Sequence, residues 1–158
     1  MHERRETHVA APPSVVWGCV ADLGGPHGWY AANTLWRLRF ALDRAVGGPG
    51  RRPRPLRPLR LGDPVDGWVV SGLEPGRRLT LTSWQRLPGT AVLTYEVLAD
   101  PDGGPGARLV QHLLWRPHGL RGRLLWAAEL PAHVLVMRAM LRGAAREAQR
   151  RAGPEGRV

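Results

Sequence analysis

The chain has 158 residues, a single cysteine and 23 basic side chains against 13 acidic ones, for a formal net charge of +10 at pH 7. One cysteine excludes an internal disulfide and a cysteine-rich zinc site, and this length supports one domain whose core needs neither. Every basic side chain is an arginine; amid abundant Ala, Gly and Pro that pattern suggests GC-rich coding, so the charge argues less for nucleic acid or an anionic membrane than its size would.

The opening MHERRETHVAAPPSVVW is charged and then broken by Pro12 and Pro13, unlike a secretion signal. No apolar run approaches the roughly 20 residues that span a bilayer, so a cytoplasmic protein is expected. Residues 6–11 are expected as a first strand, and residues 14–23 as a helix burying Val15, Val16, Cys19, Val20 and Leu23. Cys19 is then a small core residue. A second helix is expected over residues 29–46, with Leu35, Leu38, Leu42 and Ala45 as its apolar stripe and Gly47-Gly48 as its stop. Trp29, Tyr30, Trp36 and Phe40 make this the most aromatic part of the chain, and core packing is their default role. Residues 50–60, GRRPRPLRPLR, cannot form a regular helix. They are expected as an extended, solvated loop rather than an arm for phosphates, because no aromatic residues interleave with the charges.

Four strand-like runs follow, over residues 64–71, 77–85, 91–99 and 108–116, with turn signals such as Leu87-Pro88-Gly89-Thr90 between them. Spacing of this kind predicts an antiparallel meander. Alternation assigns one face to Asp66, Trp68 and Val70, then Leu79, Leu81, Ser83 and Gln85. The same face continues with Ala91, Leu93, Tyr95 and Val97, and with Leu109, Gln111, Leu113 and Trp115. Apolar walls with sparse polar interruptions are the make-up of a small-molecule cavity.

The longest helical pattern closes the chain, over residues 119–151. Val134, Met137, Leu141, Ala144, Ala145 and Ala148 form one stripe, while Arg138, Arg142, Arg146 and Arg150 step along a flank. Pro131 is expected to kink the segment or to start its second half. The organisation expected is one domain over residues 1–151 and a disordered tail over 152–158.

The order strand, two helices, antiparallel meander and long C-terminal helix resembles the START-like helix-grip superfamily, which includes polyketide cyclases and lipid-transfer domains. The blocks APPSVVWGCVADLGG, GWYAANTLWRLRFALDRAVGGPG, LRLGDPVDGW, EPGRRLTL, LPGTAVLTYEV and RPHGLRGRLLWAAELPAHVLVMRAML resemble those of one bacterial branch. That branch is often fused behind short-chain-dehydrogenase-like NAD(P)-binding domains. The resemblance implies an α+β helix-grip fold, a curved antiparallel sheet wrapped around a long C-terminal helix, with a ligand cavity between them. No nucleotide-binding glycine motif accompanies the domain, so the resemblance implies that it works alone or with a separate NAD(P)-binding oxidoreductase as partner. Asp63, Asp66, Trp68, Gly119, Gly122, Trp126, Pro131 and His133 match the branch pattern. Gly67 and Val69 stand where it has an aromatic residue and an Arg, and Val92 and Thr94 where it has a Trp and a Glu. A catalytic role resting on that Arg or Glu is absent here.

Asp66, Tyr95 and His133 are the candidates for proton transfer, as an acid, a hydroxyl and an imidazole expected to face an apolar cavity. The alternative roles are a turn acid paired with Arg, a core Tyr and a structural His. The expected ligand-facing set is Trp68, Leu81, Ser83, Leu93, Gln111, Leu113, Trp115, Trp126, Glu129 and Met137, with Arg37 a further possibility. The six His are scattered, with no pair on one helical face, so no metal site is expected, and no cofactor. Three functions follow: a carrier or sensor of a hydrophobic small molecule, a cyclase, aromatase or dehydratase acting in the same cavity, and an arginine-mediated binder of nucleic acid or anionic membrane.

Overall fold

The computed structural model describes residues 1–153. Its elements are β1 (His2–Val9), α1 (Pro13–Ala21), α2 (Asn33–Ala45), β2 (Pro64–Val65), β3 (Trp68–Glu74), β4 (Arg78–Ser83), β5 (Gly89–Ala99), β6 (Ala107–Pro117) and α3 (Gly119–Ala152). The strands form one six-stranded antiparallel sheet in the order β1-β6-β5-β4-β3-β2. This is the expected α+β helix-grip architecture. The first strand begins four residues earlier than expected, because residues 2–5 pair with the far half of β6. Of the expected tail, Ala152 completes α3, and residues 154–158 lie outside the described residues.

Register turns the alternating pattern into rows that cross the sheet. Leu79, Tyr95 and Gln111 stand side by side in one row; Leu81, Leu93 and Leu113 form the next; Ser83, Ala91 and Trp115 sit nearest the β4–β5 turn. All but Ser83 in these rows are buried, on the face covered by α3. The faces therefore match those assigned from alternation. The run expected as one strand over residues 64–71 is instead broken at Asp66, whose φ of +56° is left-handed, so the chain corners between β2 and β3.

The buried side of α2 differs from the expectation. Along α2, the leucines read as the buried stripe are exposed, and the helix rests on Trp36, Phe40 and Asp43 instead. Aromatic rings bury more area each than leucines, and Trp36 and Phe40 stack at 5.7 Å between centroids, so they take the inner side. The Asp43 carboxylate accepts from Gly50 N at 2.9 Å and Arg86 N at 2.7 Å, locking the end of α2 to the sheet. Residues 50–60 are the expected extended and mostly exposed loop, and their arginines pin it to the fold. Arg51 pairs with Asp66 at 2.6 Å, Arg54 donates to the carbonyls of Ala21 and Leu23, and Arg57 binds Asp63 through two bonds of 2.7 and 2.9 Å. The Arg52 guanidinium lies 4.5 Å above the Trp84 ring. The segment is a strap held by its own arginines.

Helix α3 runs unbroken for 34 residues through Pro131, so that proline neither ends nor restarts it. By length and composition it is apolar enough to cross a membrane, but its C-terminal half is a core helix, with Met137, Met140, Leu141, Ala144 and Ala148 buried on the sheet and α1. Small residues let it approach closely at two points. A Cβ on Gly143 would lie 2.6 Å from the Tyr30 carbonyl oxygen, and one on Gly122 would lie 2.0 Å from that of Pro88. Both obstacles are backbone and cannot rotate away. The Cys19 thiol, buried beneath α3, is pushed up to about 11 by desolvation, in keeping with a core residue and not a nucleophile.

Gly122→Ala should therefore overpack the contact and cost about 1–3 kcal/mol, read as a lowered midpoint in urea unfolding with an unchanged slope. Ala128→Gly, on the exposed side of the same helix, should cost no more than about 1 kcal/mol.

Candidate functional site

Between its two close contacts α3 bridges the sheet, and beneath the bridge lies a cavity of about 270 Å³. Its floor is the row nearest the β4–β5 turn, with Ser83, Ala91 and Trp115, joined by Leu113 and Trp68. Its roof is one side of α3, with Leu125, Trp126, Glu129, Ala132, His133, Val136 and Met137. Leu35, Trp36 and Arg39 of α2 form one lip, and Gln85 and Leu87 close the turn end. Three-to-four-residue steps from 125 to 136 place the roof residues on one side of the helix.

Most of the wall is aromatic or aliphatic. Trp115 and Trp126 stack at 6.0 Å, and Trp126 meets the His133 ring at 5.1 Å. On the opposite side Trp36 meets Trp68 edge-on at 6.2 Å, and Trp29 packs behind both. The polar groups are few and grouped. Arg39 Nε donates to Gln85 Oε1 at 3.1 Å, and its Nη1 reaches Glu129 at 2.5 Å, so one guanidinium ties α2, the β4–β5 turn and α3 together at the mouth. Two buried nitrogens of wall residues lack a hydrogen-bond partner among the described residues: Trp68 Nε1 and His133 Nε2. His133 Nε2 stands 3.5 Å from the Glu3 carboxylate, itself held by Arg5 at 2.6 Å. Burial pushes the imidazole below its ordinary 6.5, the Glu3 carboxylate opposes that shift, and Arg5 adds to it.

Of the expected ligand-facing residues, Trp68, Ser83, Leu113, Trp115, Trp126, Glu129 and Met137 line the cavity. Leu81, Leu93 and Gln111 do not. They lie on the same face in deeper rows, wholly buried. Among the proton-transfer candidates only His133 reaches the wall. Tyr95 is fully buried, accepts from Gln111 Nε2 at 2.8 Å, and has its hydroxyl pushed well above the ordinary tyrosine range by desolvation. Asp66 is buried at the β2–β3 corner, where Trp29 Nε1 donates to Oδ2 at 2.9 Å and Arg51 Nε to Oδ1 at 2.6 Å. This is the pairing of a turn acid with Arg. Arg37 is exposed on the outer side of α2 and reaches only Thr34. The arginine at the cavity is Arg39, three residues from Trp36 and next to Phe40; taking the aromatics as the inner side of α2 finds it. Among the described residues no cluster of metal-ligating side chains occurs.

The chain belongs to the family described as "Protein of unknown function (DUF2867)", whose profile matches residues 2–140. No curated protein matches it significantly. Among solved structures it resembles the Zhui aromatase/cyclase of a Streptomyces species, with a TM-score of 0.52 and 19% identity over 100% of this chain and 99% of that one. It also resembles the di-domain ARO/CYC protein BexL of the BE-7585A biosynthetic pathway, with a TM-score of 0.58 and 14% identity over 98% of this chain and 48% of that one. A protein from Thermobifida fusca gives a TM-score of 0.59 at 20% identity, over 94% and 93% of the two chains. At these identities the likeness is one of fold.

Asp66→Asn keeps a residue that tolerates the left-handed backbone and removes only the charge. It should cost about 1–3 kcal/mol in urea unfolding while leaving guest affinity within about twofold, since the loss is that of a charged hydrogen bond at a corner outside the cavity. For His133 the folded-state pKa is depressed, so on acidification the unfolded chain takes up the proton first. The associated stability is complete above the unfolded value of 6.5 and is lost as pH falls through the folded value. Melting temperatures across that window should drop less for His133→Gln than for the wild type.

Proposed function

We propose that the chain binds a small, largely apolar guest bearing at least one hydrogen-bonding group, in the cavity between sheet and α3, as a carrier or sensor. The observation that carries this reading is an apolar cavity of about 270 Å³ walled by Trp36, Trp68, Trp115 and Trp126, whose polar side chains are grouped at the mouth as Arg39, Gln85 and Glu129. Flat tryptophan walls suit an aromatic, lipid-like or polyketide-like skeleton. A volume of about 270 Å³ favours one or two rings over a long extended chain. The solved aromatase/cyclases of similar fold support the same class of guest. The reading stands with or without a separate NAD(P)-binding oxidoreductase.

A cyclase, aromatase or dehydratase activity is the second reading, favoured by His133. An imidazole kept largely neutral by burial, at the wall of an apolar cavity, is suited to accept a proton from a bound carbonyl compound's α-carbon. Glu3 would stabilise the imidazolium so formed. Asp66 and Tyr95, each with its partners away from the wall, are assigned no step.

Native mass spectrometry and thermal shift against a panel of small aromatic ketones, phenols and fatty acids test the first reading. Binding should raise the melting temperature and quench the wall tryptophans, and Val136→Trp should abolish both by filling the cavity while the apo protein still melts cooperatively. No shift with any compound, or undiminished shifts in Val136→Trp, would reject it. For the second reading, turnover that survives in His133→Gln excludes the imidazole as the base.

A further inference from the structure

We propose that the outer side of α3 docks onto an anionic phospholipid bilayer. Leu120, Leu124 and Leu135 are 70%, 61% and 68% exposed, and their spacing sets them on one stripe along the bridging half of α3. The stripe spans about 22 Å at the helical rise of about 1.5 Å per residue. On α2, Leu35, Leu38 and Leu42 are likewise each more than half exposed. Three exposed leucines on one stripe of a helix whose other side is packed on the fold mark an interaction surface and not a scatter of surface residues.

Charge identifies what covers it. The outer stripe of α3 changes composition at residue 138 and continues as Arg138, Arg142, Arg146 and Arg150, all exposed. Among the described residues only Arg150 of these four has a carboxylate partner, Glu147. A face that is apolar at one end and cationic at the other fits a surface offering both acyl chains and negative headgroups. A second copy of the chain fits less well, because two molecules of formal charge +10 would bring arginine rows together. The helix lies on the bilayer and does not cross it, since withdrawing Met137, Leu141 and Ala144 from the sheet would expose the core. The docking itself does not depend on what the cavity holds.

The test is co-flotation of the full chain with vesicles of phosphatidylcholine alone or mixed with phosphatidylglycerol, at low and high salt. The chain should float with the mixed vesicles, weakly with phosphatidylcholine, and less as salt rises. Leu124→Glu/Leu135→Glu, at exposed positions, should keep the wild-type melting temperature and lose binding on the order of tenfold or more. Arg138→Gln/Arg142→Gln/Arg146→Gln should lose about fivefold per arginine and most of the salt dependence. The proposal is overturned if the wild type stays with neither vesicle. It is equally overturned if the leucine variant floats as well as the wild type, leaving electrostatic adsorption only. A stable dimer that the leucine variant dissolves, with no flotation of either, would assign the face to a second copy.

Discussion

The geometry of this protein depends on a long helix held by close backbone contact at two places, the β4–β5 turn and the segment between α1 and α2. Helix α3 meets backbone at Gly122 and again at Gly143, where nothing larger than a hydrogen fits, and it stays continuous between them. A sheet of six strands twists and cannot follow a straight helix along its whole length. The mismatch appears as the space under residues 125–136, walled by large side chains from both sides without being filled by them. In the C-terminal half the stripe of alanines brings the two layers together and no such space remains. Small side chains at the ends of the bridge and large ones along it thus create a cavity from two regular elements.

The supporting parts keep that bridge in register. At the far end of α3, Arg151 spans from Glu147 to Asp22 at the end of α1, with bonds of 2.8 and 2.7 Å. Glu147 is held well below the usual carboxylate range, at about 2, chiefly by Arg150, with Arg151 adding to it. On the other side the arginine strap of residues 51–57 closes the sheet's β2 edge by filling carbonyls and carboxylates that would otherwise be bare. Much of the positive charge is therefore structural. Of the arginines without a carboxylate partner among the described residues, Arg138, Arg142 and Arg146 step along the exposed side of α3, while others such as Arg37, Arg44, Arg60 and Arg116 are spread over the rest of the surface.

The sequence pattern carried the sheet faces and the C-terminal helix well, because period-two and three-to-four-residue repeats report directly which side of an element is covered. It could not report depth along a face. Leu93 and Ala91 share a parity, but only Ala91 lies at the cavity; the difference is a register row, fixed by pairing across three strands. The α2 error has another cause. Its leucines repeat at helical spacing as convincingly as its aromatics do, and only the tertiary contacts of Trp36, Phe40 and Asp43 select the inner side. Asp66 was placed on the concave face by counting through a break that its left-handed backbone introduces. Its pairing with Arg51, fifteen positions away, is not encoded in any local period.

Pro131 sits in the middle of the bridge, and it changes how that bridge behaves over time. A proline cannot donate to the carbonyl four residues earlier, so the helix lacks the rung to Ala127 where it has no sheet directly beneath it to compensate. The flanking turns are clamped by close backbone contact at Gly122 and by the buried alanines near Gly143. Slow amide exchange should therefore persist at the clamped C-terminal turns and be lost first around residues 127–133. Breathing of the cavity roof is then local, and the rest of the fold need not move.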